Sequence, residues 1–226
     1  MLAARDRLKR FLTLADQGPA QRAALAVDLV DFLVDWPAEC PLAMRPPVLA
    51  LLDMTLQEAD GILRKRLAAR LATLDDLPLG LANEIFHCAP DGLRQVLLRR
   101  NEDEGGRVQP LAAYDPLMLL GTVRDADRDS LAHRLVGAMH VPLSTAVGIL
   151  GDESGLSLAV LCKGTRLGRA FYSALAVLAF QGLPGGLIRL GAYDRVSQRA
   201  ADNLTACWQL QNRQSPPGSG ERIRAA

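Results

Sequence analysis

The sequence predicts an all-α fold of stacked antiparallel helical hairpins, HEAT/armadillo-like with degenerate repeats. Three observations lead there. Apolar residues recur at three- and four-residue spacing along most of the chain, and Pro or Asp opens one such stripe after another. No run of four or more residues alternates with β-branched enrichment, residues 155–161 being the one ambiguous stretch. The interior must also be built from Leu, Ala and Val, because 49% of residues are hydrophobic but only 4% aromatic. That composition suits packed helices better than sandwiches or barrels.

The elements follow in order. Residues 1–16 carry Leu8, Leu12 and Ala15 at helical spacing, and Pro19 sits where a first helical turn tolerates it. The second stripe is Leu25, Ala26, Leu29, Val30, Leu33 and Val34, with Asp28, Asp31 and Asp35 opposite, and Trp36-Pro37 ends it. Pro46-Pro47 opens a third helix, Asp60 caps a fourth, Pro78 opens a fifth with Leu81, Ala82, Ile85 and Phe86, and Pro90-Asp91 opens a sixth with Leu93, Val96 and Leu97. Residues 101–109 (NEDEGGRVQ) form a loop and a candidate boundary between sub-arrays. Helices resume over residues 115–124 and after Asp129, and Pro142 opens another through Leu150. A helix over residues 154–163, capped by Ser154, is expected to stop at Gly164, and the very apolar helix 167–181 at Gly182. After an irregular stretch a last long helix is expected over residues 192–211, then a disordered tail over 215–226. So many short helices in series describe a single helical-array domain over residues 1–214. No strict repeat period is visible, which separates it from ankyrin or tetratricopeptide arrays.

Two blocks carry a family resemblance. The first is Leu63-Arg64-Lys65-Arg66-Leu67-Ala68-Ala69-Arg70-Leu71-Ala72, followed by Leu77-Pro78, Leu81-Ala82 and Ala89-Pro90. The second is Leu131-Ala132-His133-Arg134-Leu135 with Val141-Pro142-Leu143, Gly151-Asp152, Leu161-Cys162-Lys163 and Leu167-Gly168 through Phe171. Over about residues 60–178 the chain resembles the bacterial family known as domain of unknown function 2336. The resemblance implies a HEAT-like helical array and carries over no catalytic residue.

Composition excludes several functions. The net charge is +1, spread as 13 basic and 13 acidic side chains in residues 1–100, 5 and 9 in 101–165, and 8 and 3 in 166–226. That is a mild dipole along the chain and not the broad basic face of a non-specific nucleic-acid binder. The N-terminus is charged throughout and no 18-residue uncharged apolar run exists, so neither signal, anchor nor membrane span is expected. Cys40, Cys88, Cys162 and Cys207 have no paired spacing and read as reduced thiols of a cytoplasmic protein.

Chemical motifs are equally sparse. Neither GxxxxGK[ST] nor a GxGxxG after a strand occurs, and residues 182–191 (GLPGGLIRLG) read as a connector. Glu84-x-x-His87 is half of a di-iron carboxylate motif, but Ser130 and Gly137 precede His133 and His140 by three residues, so no second copy follows. No cofactor or metal is expected, nor enzymatic activity; a small-molecule enzyme with a groove site is the least favoured alternative. What remains is arginine. Arg64 and Arg70 in one helix and Arg94, Arg99 and Arg100 in another would form an outward basic strip if the two helices were equivalent members of successive hairpins. The carboxylates around it suit an acidic protein segment better than a duplex. A non-enzymatic scaffold or adaptor with a protein partner is therefore the leading reading, and a nucleic-acid-binding array the alternative.

Overall fold

The computed structural model describes residues 2–56, 59–74, 76–120, 128–181, 183 and 189–214, and these form helices, 3₁₀ turns and connections, with no strand among them. The chain is all-α. It divides into two compact units, Met1–Leu81 with Cys88–Pro90 and Ala82–His87 with Asp91–Ala226. The division falls near the start of the sixth helix, and the Gly105-Gly106 loop lies inside the second unit.

In the first unit α1 (Leu2–Ala15), α3 (Arg45–Leu56) and α4 (Gly61–Leu71) all pack on α2 (Pro19–Val34). The reason is the α2 stripe itself: Leu25, Ala26, Leu29, Val30, Phe32 and Leu33 are all buried, enough to occupy three neighbours. Phe11 and Trp36 meet the Phe32 ring edge-on at 5.4 and 5.2 Å. Arg45 covers Trp36, donates to both Asp76 oxygens at 2.7 and 2.8 Å, and reaches the orphaned Leu33 carbonyl at the end of α2. Asp60 caps α4 by accepting from the Leu63 amide at 2.8 Å.

The second unit contains α6 (Asp91–Asp103), α7 (Leu117–Leu120), α8 (Arg128–Met139), α9 (Leu143–Gly151), α10 (Leu156–Gly164), α11 (Arg169–Ala179) and α12 (Gln198–Gln214). Between the stripes, α5 (Leu79–Glu84) is short and ends in a 3₁₀ turn, Phe86–Cys88. The central packing is α12 on α10 and α6, with α8 on α9 and α10 on α11. Trp208, Leu204, Ala200 and Ala201 of α12 are fully buried. The polar groups buried with them are paired: Asn83 and Asn101 exchange carboxamide hydrogen bonds at 3.0 and 2.8 Å, Asn203 donates to the Asn101 carbonyl, and the Trp208 indole donates to the Asn83 carbonyl.

Two expectations are corrected, and one helix end is refined. The last helix does not begin near Ala192: Gly191–Arg195 is a 3₁₀ turn, Val196 is extended, and the Ser197 hydroxyl caps the Ala200 amide to start α12. α10 does end at Gly164, as expected, but the left-handed residue that closes it is not the glycine. Arg166, at φ 68°, takes the left-handed position, with the Arg166 amide on the Lys163 carbonyl and the Leu167 amide on that of Cys162, the paired bonds of a Schellman ending. Gly164 is instead the point where α12 crosses. A Cβ there would overlap the Thr205 hydroxyl and stand 2.8 Å from the Ala201 carbonyl oxygen. In α6 the stripe is shifted: Arg94, Leu97, Leu98 and Asn101 face inward, and Val96 is exposed. The expected helix 115–124 is seen only as α7, since residues 121–127 lie outside the described residues, as does the expected tail.

Gly164→Ala should therefore destabilise the chain by about 1–3 kcal/mol through overpacking. Gly137→Ala, in α8 with nothing within 4 Å of the added carbon, should stabilise it by up to about 1 kcal/mol. Urea titrations of the two variants check both signs.

Candidate interaction surface

The five arginines of the expected basic strip have different fates. Arg64 and Arg70 belong to the first unit and Arg94, Arg99 and Arg100 to the second, so neither unit gathers all five. The Arg64 Nε donates to the Ala59 carbonyl at 2.9 Å, and Arg70 pairs with Asp31. Arg100 grips Glu104 bidentately at 2.9 and 3.0 Å, and that hydrogen bond holds the Glu104 carboxyl below its ordinary range. Arg99 is exposed. Arg94 is a correction: expected outward, it is 8% exposed, because it shares the inward stripe of α6 with Leu97 and Leu98.

Arg94 is buried for a reason that starts in the turn before α10. The Asp152 carboxylate accepts from the Ser154 amide and hydroxyl on one oxygen, at 3.1 and 2.7 Å, and from the Ser157 amide and hydroxyl on the other, at 2.9 and 2.7 Å. It thus shares the capping of α10 with Ser154, whose hydroxyl accepts from the Leu156 amide at 3.2 Å as expected, and Arg94 closes the pair from α6. Burial alone would push the Asp152 carboxyl up. The charge and hydrogen bond of Arg94, with the bonds from Ser157 and Ser154, hold it below the ordinary value instead. Gly155 occupies the left-handed region at φ 73°, with Tyr172 Oη 2.9 Å from where its Cβ would stand. Arg189, buried, reaches the Glu153 carbonyl from the other side at 2.5 Å. With both its oxygens already engaged, Asp152 serves as a clamp for the turn and has no lone pair poised for proton abstraction.

The side chains of Glu84 and His87 do not share a continuous helix: α5 ends at Glu84, and His87 is buried in the next turn against Gly148 and the Trp208 ring. Among the described residues no three His, Cys, Asp or Glu side chains gather as a metal site, and no helix is long and apolar enough to cross a membrane. The four cysteines are separate thiols, and burial pushes the Cys162 thiol up and away from reactivity.

The feature that sequence reasoning missed is the segment between α6 and α7. Residues 104–116 have no helical or strand pairing of their own, yet the second unit ties them down along their length. Arg199 donates to the Gly105 carbonyl at 2.8 Å, and the Gln209 carboxamide bonds both backbone groups of Leu111 at 2.7 and 3.1 Å. The Ala113 amide meets the Thr165 carbonyl at 3.1 Å and the Tyr114 amide that of Ala138 at 2.7 Å. The result is a fixed strap. Pro110 is buried, yet four larger side chains stay in solvent: Val108, Leu111, Tyr114 at 73% and, just beyond the strap, Leu117 at 72%. Their three-residue spacing, V-x-x-L-x-x-Y-x-x-L, was visible but fits neither a helical stripe nor a strand.

Removing one member of the buried pair, by Asp152→Ala or Arg94→Ala, should cost about 3–5 kcal/mol in urea unfolding, because the other charge is left uncompensated. Asp91, the exposed second partner of Arg94, should matter little when replaced. Because the folded-state pKa of Asp152 is depressed, its contribution is complete above the unfolded value of about 3.9 and disappears as pH falls through the folded one. Acid unfolding of wild type should therefore show a stability loss below about pH 4 that Asp152→Asn lacks.

Comparison of the chain with protein-family models, with curated proteins and with solved structures finds no match in any of the three, so a functional reading rests on the geometry of the strap and its neighbours.

Proposed function

We propose that the chain is a non-enzymatic helical scaffold, a degenerate HEAT-type array akin to the domain of unknown function 2336, and that it docks a protein partner on the strap of residues 104–116. Pairing of consecutive helices supports the array: α2 with α3, α8 with α9, and α10 with α11. The observation that carries the docking is the tethered backbone with its apolar side chains in water. Exposed apolar area costs roughly 25 cal/mol per Å² relative to burial, and a slack loop would fold Tyr114 and Leu117 inward. The tethers at Gly105, Leu111, Ala113 and Tyr114 hold them out. A partner then meets a pre-ordered ridge and loses little conformational entropy on binding. Tyrosine is among the residues that dominate binding energy when a partner encloses them.

The nucleic-acid and enzyme alternatives have less behind them. Arg70, Arg94 and Arg100, which would attract phosphate, already face carboxylates, and the clustered Asp152 is spent on capping.

The test is a retention experiment with an extract of the native host on immobilised full chain. Wild type should hold a discrete set of proteins, and Tyr114→Ser/Leu117→Ser should hold them at least about tenfold more weakly, with an unchanged melting midpoint because both side chains are exposed. Arg99→Ser/Arg100→Ser should leave retention unchanged. Equal retention by the strap variant would rule out the strap as the docking element.

A further inference from the structure

Asp115 sits in the left-handed region at φ 39°, a conformation that strains any residue carrying a Cβ. Two other described residues with a side chain, His140 and Arg166, also have positive φ, and both close helices. Their amides bond back to the Val136 and Lys163 carbonyls, at the ends of α8 and α10. Asp115 closes no helix. It is also the one of the three followed by proline, whose ring pushes the preceding residue toward extended backbone. The chain is held on both sides of it. Before it, the Ala113 amide meets the Thr165 carbonyl and the Tyr114 amide that of Ala138. After it, the Pro116 carbonyl accepts from the Leu119 amide at 3.1 Å and opens α7. Neither neighbour can turn to release the strain, which stays at the Asp115–Pro116 linkage.

We propose that this linkage, the one Asp–Pro bond of the sequence, is a self-cleavage site with the Asp115 side chain as nucleophile. The side chain is exposed, and no described residue engages its carboxyl. A carboxyl oxygen attacks the carbonyl carbon of the same residue and closes a five-membered cyclic anhydride. The bond from that carbon to the Pro116 nitrogen breaks, and the carboxyl proton passes to the nitrogen, which leaves as a secondary amine. One water then opens the anhydride and leaves two carboxyls on Asp115. The sum is hydrolysis of one peptide bond by one water. Attack within a single residue is favoured by proximity wherever Asp precedes proline. What the fold adds is a strained ground state. Once the proline ring departs, Asp115 is no longer forced to hold φ 39° against it, so strain is given up as the bond lengthens. The break falls between Tyr114 and Leu117 and parts the strap from α7. The two pieces stay together under native conditions, because α12 of one packs on α6 of the other.

The test is slow incubation of the full chain at about pH 5, above the range in which the Asp152 clamp is lost, with fragments read by denaturing mass spectrometry. Folded wild type should yield residues 1–115 and 116–226, the second piece beginning at Pro116, at least about fivefold faster than the same chain in urea. A bond that is labile through its sequence alone would cleave at least as fast in urea, where the strain is absent. Asp115→Asn, which lacks the carboxyl, should cleave at least about tenfold more slowly than wild type while folded. Asp115→Glu keeps the charge but must close a larger ring, and it should be slowed as well. An intact bond in the folded chain, a rate in urea equal to or above the folded rate, or an asparagine variant that cleaves as fast as wild type would each overturn the proposal.

Discussion

A helix enclosed on most of its faces must satisfy its own polar side chains inside the protein, and in the second unit that requirement falls on α12. Asn203, Thr205, Trp208 and Gln209 are all buried in it. Three end on helix-end carbonyls, Asn203 on Asn101 of α6, Trp208 on Asn83 of α5 and Gln209 on Met139 of α8, and Thr205 adds a bond to the Val160 carbonyl inside α10. Gln209 does this twice, since its carboxamide also holds both backbone groups of Leu111. The strap is therefore ordered by the same side chains that make α12 able to be buried. An exposed ridge fixed by a buried helix is a different object from a surface loop, because losing the ridge would leave Gln209 unsatisfied as well.

Charge follows a parallel logic. The chain has almost as many carboxylates as cations, and arginine is nearly the sole cation. Its planar, multi-donor head is readily captured by carboxylates and carbonyls, as at Arg45 with Asp76, Arg166 with Asp202 and Arg189 with the Glu153 and Leu183 carbonyls. Capture inside the fold leaves little of this charge to build a field in solvent. Among the described residues, the strap and the outer side of α3 each bring several exposed apolar side chains together.

Helix starts were legible in the sequence because their signals are local. Pro19, Asp60, Pro142 and the Pro46-Pro47 pair each restrict φ or offer an acceptor within three residues, and the structure places helix starts at all of them. Helix ends were less legible. Arg166 and His140 take the left-handed position although neither is glycine, held by bonds back to the preceding turn, while Gly164 is reserved for a helix crossing that no local pattern announces. Arg94 illustrates a different failure. Its spacing of three and four from Leu97 and Leu98 puts it on the inward stripe, but a cation reads as surface until its partner is known. That partner, Asp152, lies 58 positions away and was itself hidden behind the serine it holds. The strap was legible only as a loop over residues 101–109, since the tethers that fix it come from Gln209, Thr165 and Ala138, far along the chain.

Apolar side chains in water are ordinary when single and informative when a rigid backbone prevents their retreat. Leu12, Val147 and Val177 are exposed large apolar residues on separate helices. Val108, Leu111, Tyr114 and Leu117 differ because the tethers around them forbid collapse, and Leu42, Pro46, Pro47, Ala50 and Met54 differ because a helix cannot turn its outer side inward without exposing Leu52 and Leu56. Behind the strap Gln209 of α12 is buried, and on the inner side of α3 Leu52 is. That constraint ties the exposed side of each element to the packing of its buried surroundings.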